Sequence, residues 1–290
     1  MSLLALAQTN PLAFSLFAAV LGLIVGSFLN VVIHRTPIVL MRNWQRDCQE
    51  MAGDAESPTT HEKFNLITPR SRCPHCGHAI TALENIPVFS YLWLRGKCSA
   101  CRKSISPRYP FVELLSAALA AVTAWHFGFN AAGIAAITLT WLLIALAFID
   151  IDHQLLPDVM VMPFLWVGLL LNLFNVFIPL PQAVIGAVAG YLSLWLVFHL
   201  FKLVTGKDGM GYGDFKLFAL FGAWFGWQSL PLIILLSSFI GALIGIGLII
   251  FQGRDRAKPL PFGPYLAAAG WVAMLWGDEI LRQYLQMARF

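Results

Sequence analysis

Long apolar runs separated by short polar breaks organise this chain. They fall near residues 12–34, 111–128, 131–149, 159–178, 182–204, 215–228, 230–251 and 263–283. Most are long enough to cross about 30 Å of hydrocarbon at about 1.5 Å per helical residue. The pattern predicts an all-α polytopic membrane protein of about eight transmembrane helices. The largest break, residues 35–110, predicts a small soluble insert. The chain then reads as a first transmembrane helix (1–34), the insert (35–110) and a seven-helix membrane domain (111–290). The first run has no basic leading region and no small-residue cleavage site, so it is expected to stay as a membrane helix rather than be removed as a signal peptide.

Composition agrees. Of 290 residues 58% are hydrophobic and only 12% charged, and the mean hydropathy is +0.72, against roughly 45–50% apolar and 25% charged in soluble domains. The net charge of +4 matters less than where the basic residues lie. With eight crossings, all of the 19 except Arg282 and Arg289 fall on the side of the insert. The positive-inside rule therefore predicts a cytosolic insert and both termini on the opposite face. Such charges report topology in a lipid bilayer, and no nucleic-acid partner is expected.

The insert contains Cys73, Cys76, Cys98 and Cys101, two C-x-x-C turns separated by 21 residues. Each such turn presents two sulfurs to one tetrahedral ion, the spacing of a zinc ribbon or knuckle. Four protein ligands close the site, which points to structural Zn²⁺ rather than to a catalytic ion with an open position. Two disulfides or a redox dithiol are the alternatives, disfavoured in a cytosolic setting. His75 and His78 are expected at the surface, and Cys48 outside the cluster.

Four acidic residues stand at or beside apolar segments: Asp150, Asp152 and Asp158 in "FIDIDHQLLPD", and Asp214 in "GMGYGDFK". Carboxylates at such depth are costly and are candidates for function. Asp158 follows a proline and is expected to cap a helix; Asp152 and His153 are expected in a solvated connection. Asp150 ends the third run. Asp214 opens a sixth run of about 14 residues, about 21 Å of helix, so its start is expected to be recessed. Two acids at one depth on different helices can share a proton, one acting as base and the other as acid. Gly211 and Gly213 are expected to permit positive φ or close backbone approach around Asp214. "GMGYG" as a dinucleotide or methyl-donor loop fails on context, because no βαβ unit surrounds it.

Taken together, "GSFLNVVIHR", the paired C-x-x-C insert with "ENIPVFSYLWLRGKC", "RYPFVE", "DIDHQLLPD", "GMGYGDFK" and "PFGPYLAAAG" resemble the type IV prepilin leader peptidases, bifunctional peptidase and N-methyltransferase enzymes. The resemblance covers nearly the whole chain. It implies an intramembrane aspartic protease of the bacterial inner membrane, with Asp214 of Gly211-Tyr212-Gly213-Asp214 and Asp150 as its acids. It implies prepilin and pseudopilin precursors as substrates, cut at the cytosolic face after a glycine and before a residue that is usually phenylalanine. It further implies methylation of the new N-terminus from S-adenosylmethionine, for which the residues themselves show no binding signature.

A proton-coupled multi-pass transporter with recessed carboxylates is the rival from another class, although no internal repeat supports it. A zinc-based redox sensor would instead need the cysteines to carry the activity. Gly22-x-x-x-Gly26 and Gly241-x-x-x-Gly245 read as ordinary close helix packing, and "PLPFGPY" as a break in regular structure at membrane depth that could line the substrate groove or be a simple loop before the last helix.

Overall fold

The computed structural model describes residues 10–52, 64–252 and 260–287. Among them the fold is all-helical, with no strand: α1 (Pro11–Ala52), α2 (Phe89–Trp93), α3 (Arg108–Phe127), α4 (Ala131–His153), α5 (Asp158–Leu173), α6 (Leu180–Thr205), α7 (Tyr212–Phe225), α8 (Leu230–Gln252) and α9 (Gly263–Met287). Every predicted apolar segment is a helix, but not every helix is a full span. Five are long and apolar enough to cross a membrane: α1, α3, α4, α6, and α8 with the short turn before it. By this measure eight crossings are not met. Helix α5 has 16 residues and α7 has 14, while α9 carries Asp278, Glu279 and Arg282 in its last turns. Arg254, Arg256, Lys258 and Arg289, which enter the charge asymmetry, lie outside the described residues, as does Lys63 of the insert.

The chain divides into two compact units, one ending at Phe129 and the other beginning at Asn130. In the first, α1 packs along α3. An added Cβ on Gly22 would lie 2.7 Å from Ala117 Cα, and one on Gly26 equally close to Glu113 Cα, so the small-residue pair does allow close helix packing. Ser116 Oγ donates to the Gly22 carbonyl at 2.7 Å across this seam. The first helix does not end near residue 34. It runs on through Pro37 to Ala52, about 63 Å in all at the usual rise, roughly twice the bilayer core. From Met41 onward this extension is exposed, and Cys48 is exposed upon it. Buried Arg35 ties the extension to the insert, donating to the carbonyls of Asn65 at 3.0 Å and Pro69 at 2.6 Å.

In the second unit, α7 is the central helix. From Asp214 to Trp224 only Lys216 escapes burial, because α5, α6 and α9 pack around it. Gly186 of α6 and Gly222 of α7 meet backbone to backbone, and Gly270 of α9 faces the Phe221 ring. Fully buried Asn172 closes the far end: its amide donates to the carbonyls of Ala223 and Trp224, and its oxygen accepts from Phe177 and Ile178 N–H. One side chain thus satisfies carbonyls at the end of α7 and fixes the turn after α5, where unpaired backbone groups would be costly.

Candidate acid pair and candidate metal centre

The insert is built from two matching knuckles. Cys73 N–H donates to His78 O at 2.8 Å and Gly77 N–H to Cys73 O at 2.9 Å; in the second, Cys98 N–H donates to Lys103 O at 2.9 Å and Arg102 N–H to Cys98 O at 3.1 Å. Gly77 and Arg102 take positive φ at equivalent points, 72° and 60°. The turns bring the sulfurs of Cys73, Cys76, Cys98 and Cys101 within 4.8 Å of one another, with Cys73 and Cys101 3.8 Å apart. Thiolates about 2.3 Å from one tetrahedral ion lie about 3.8 Å from each other, so the cluster fits a metal ion. All five cysteines are free of disulfides. Backbone amides assist: the His75 N–H, first among the influences on it, draws the Cys73 thiol down to about 6, and the Cys101 and Ala100 amides lower Cys98.

Glu84 joins the two knuckles, a role the sequence reading did not assign. It accepts from the Ser99 hydroxyl, from Thr81 N–H at 2.8 Å and Thr81 Oγ1 at 2.9 Å, and pairs with His78 Nε2 at 3.3 Å. Thr81 Oγ1 accepts in return from Glu84 N–H, the reciprocal arrangement of a capping box. His78 therefore supports the cluster from outside it. Buried Glu113 of α3 accepts from the Val88 N–H at 2.8 Å, holding a β-branched residue at φ 61°, a conformation such residues rarely adopt.

In the second unit, the structure brings Asp150 and Asp214 together. Both are buried, 6% and 7% exposed, and their carboxylates are electrostatic neighbours. Asp150 lies in the last turn of α4, which stops at left-handed Gln154 (φ 52°, ψ 42°), whose N–H returns to the Asp150 carbonyl at 2.9 Å. Asp214 lies in the first turn of α7, with the Gly211 backbone beside its Oδ2. Its Oδ1 is buried without a hydrogen-bond partner among the described residues. Buried acceptors are rarely left so, and such an atom is available to a substrate group. Tyr212 and Phe198 pack around Phe215, the next residue, and shield this end of α7.

The glycines act by proximity. Neither Gly211 nor Gly213 has positive φ; Gly211 is extended, at φ −81° and ψ 147°. A Cβ on Gly213 would lie 2.8 Å from Leu156 Cβ. The same buried leucine approaches Gly263, where a Cβ would lie 3.2 Å from Leu156 Cδ2 and 2.7 Å from Asp150 Oδ2. Gly263, at the start of α9, donates its backbone N–H to Asp150 Oδ2 at 2.9 Å. The sequence reading did not single out Leu156, and it marked the "PLPFGPY" break that contains Gly263 without giving that glycine a role. Helix N-termini carry partial positive charge, so the N-termini of α7 and α9 both face the acid pair.

Asp158 does not cap α5. Pro157 holds the cap position without a side-chain bond, and Asp158 Oδ2 instead meets Lys216 Nζ of α7 at 2.6 Å. Asp152 and His153 belong to the last turn of α4 rather than to a loop, and both are exposed.

A polytopic helical protein with a buried carboxylate pair and a separate four-thiol insert is the class these features define. Comparison with known proteins takes the assignment further. Residues 20–127 match the bacterial peptidase A24 N-terminal domain, and residues 137–246 the type IV leader peptidase family. The chain is 59% identical to the prepilin leader peptidase/N-methyltransferase of Stutzerimonas stutzeri over 97% of both chains. It is 56% identical to the Pseudomonas aeruginosa protein of that name over 100% of both, and 46% identical to the Legionella pneumophila one over 97% of this chain and 98% of the relative. The chain belongs to the type IV prepilin leader peptidase/N-methyltransferase family. No solved structure matches it.

Proposed function

We propose that this protein cleaves the leader peptide of type IV prepilins and pseudopilins and methylates the N-terminus so formed, with Asp150 and Asp214 as the proteolytic acids. The observation that carries the mechanism is the burial of these two carboxylates, on α4 and α7, within electrostatic reach of each other. Like charges so placed favour one shared proton. The ionised acid takes a proton from water, whose oxygen attacks the scissile carbonyl; the protonated acid donates to the carbonyl oxygen. Collapse of the tetrahedral intermediate then breaks the C–N bond as the amine is protonated. Gly263 N–H and the two helix N-termini hold the negative charge in place.

The relatives' names support both activities. S-adenosylmethionine is the methyl donor this reading requires, supplying an electrophilic methyl group on sulfur; no residues are assigned to it. The four cysteines would hold Zn²⁺ as a structural ion, which suits a closed all-thiolate site. The protein is proposed to lie in the bacterial inner membrane with eight crossings, the insert and acid pair facing the cytosol and both termini the periplasm. The asymmetry of basic residues supports this orientation. The test is mass spectrometry of a purified prepilin after incubation with the protein, which reports the cut and the added methyl together. A prepilin left at full length would refute the reading.

A further inference from the structure

The insert carries an apolar stripe on its surface. Phe89, Leu92 and Trp93 of α2 are 69%, 65% and 89% exposed, and Leu83 and Ile86 in the turns before it are exposed as well. Positions i, i+3 and i+4 share one helix face, so the three α2 side chains stand together. Large apolar side chains grouped in this way mark a contact surface. The far end of α2 is fixed to the second knuckle. Gly96 N–H donates to Tyr91 O at 2.8 Å, and the Gly96 carbonyl accepts from Ile105 N–H at 2.7 Å. Tyr91 itself is half-buried against Gly96, where an added Cβ would lie 3.0 Å from its hydroxyl.

The near end of α2 is tied to helices long and apolar enough to cross a membrane. Val88, the residue before α2, donates its N–H to Glu113 at 2.8 Å. Glu113 stands a turn and a half into α3, about 8 Å beyond its start at Arg108. The Ser27 side chain of α1 also bonds Glu113, and Ser27 lies about 10 Å inside the end of the apolar run near residue 34. Both helices therefore place the start of α2 at the depth where they leave the hydrocarbon. Amphipathic segments that lie in a bilayer interface bury their apolar face to about 5–10 Å, the same depth. Tyr109 and Leu114, on this stretch of α3, are exposed too, so the span beside α2 offers apolar surface at that level. The charge around the stripe is one-sided. Residues 64–108 hold seven lysines and arginines and a single acid, Glu84, and exposed Arg95 and Lys97 follow the stripe directly.

We propose that α2 is an interfacial anchor for the insert, with a bilayer of anionic phospholipid as its partner. Phe89, Leu92 and Trp93 enter the boundary between headgroups and acyl chains, where tryptophan is favoured, and Arg95 and Lys97 meet the lipid phosphates. Because Gly96 joins α2 to the second knuckle, the anchor holds the four-thiol centre at the membrane surface. The proposal goes beyond the proteolytic reading and does not depend on the acid pair. Each basic residue close to an anionic membrane surface favours it roughly fivefold.

The experiment places a photoactivatable benzophenone amino acid at Leu92, at Trp93 and, as a control, at Gln49 on the exposed extension of α1. Each full-length protein is reconstituted in vesicles of equal parts phosphatidylglycerol and phosphatidylethanolamine and irradiated, and its adducts are identified by mass spectrometry. Leu92 and Trp93 positions should label lipid roughly tenfold or more above the Gln49 position, as expected of side chains that enter the interface. Phosphatidylglycerol adducts should outnumber phosphatidylethanolamine adducts roughly fivefold. Arg95→Gln with Lys97→Gln should bring the two lipids to near-equal labelling while lipid adducts persist. Two separate label positions keep the test decisive if one of the proteins folds poorly. Lipid labelling from α2 no higher than from Gln49 would overturn the anchor, as would adducts with an added prepilin or a second copy of the chain in place of lipid. Equal labelling of the two lipids with Arg95 and Lys97 intact would overturn the anionic contact.

Discussion

Gly263 donates its backbone N–H to Asp150 across 113 residues of sequence, and it can do so only because it has no side chain. A Cβ there would sit 2.7 Å from the oxygen that accepts the bond. The first turn of α9 is thereby built onto the last turn of α4, and the position of one acid depends on a residue far from either acid in the sequence.

Gly263→Ala should therefore impair cleavage strongly while leaving a folded protein. A displacement of about 1 Å at a reacting group can cost about 10²-fold in rate, and a loss of this order in kcat is expected with prepilin as substrate. Activity within twofold of the unaltered protein would mean that the contact does not position Asp150.

The insert should depend on its metal. Binding of a structural ion is coupled to folding of its site, so Cys73→Ser with Cys76→Ser should lose zinc by elemental analysis and open the insert to limited proteolysis. Retention of tightly bound zinc by the folded double variant would contradict the four-thiolate site.

Glu84 makes a pH-dependent contribution. The Ser99 hydroxyl, followed by the Thr81 amide and hydroxyl, holds its carboxyl down from an ordinary 4.5 to about 2. A depressed carboxyl stabilises the fold above its unfolded value, and that stability is lost as pH falls from about 4.5 toward about 2. Glu84→Gln in the zinc-loaded protein should thus lower the melting temperature by an amount that stays constant between about pH 8 and pH 5. A difference that shrinks already between about pH 8 and pH 6 would mean that another group governs the junction of the knuckles.

Local patterns carried much of this organisation. Apolar run length marked all eight long helices, and paired C-x-x-C spacing marked the thiol cluster, because both depend on residues close in sequence. Asp150 and Asp214 stood out for a similar reason, as charges at the ends of apolar runs. The full reach of α1 was hidden because its last stretch, "RNWQRDCQEMA", is a polar continuation, and polarity marks the end of a span rather than of a helix. Leu156, Asn172, Glu84 and Gly263 were hidden for a different reason. Each acts through partners that only the tertiary fold brings near, and nothing in a leucine or a glycine announces such a contact.

The Asp158–Lys216 pair is one of those hidden contacts. Its geometry is close, at 2.6 Å, but its side chains are 57% and 29% exposed, and ion pairs so solvated contribute at most about 1 kcal/mol. Asp158→Asn should lower stability by no more than that and leave cleavage within severalfold. A collapse of proteolysis in folded Asp158→Asn protein would give Asp158 a part in the chemistry that its position does not suggest.

The most direct test of the central claim is the amount of mature prepilin, counted by mass spectrometry, formed by Asp150→Asn, Asp214→Asn and the double variant, each verified as folded and zinc-loaded. Asparagine keeps the size of the side chain but cannot exchange the proton, so each single change should cost roughly 10²–10⁴-fold. The double variant should be little worse than either, because the two acids act as one unit. Substantial cleavage by folded Asp214→Asn protein, or multiplied losses in the double variant, would contradict a shared acid pair.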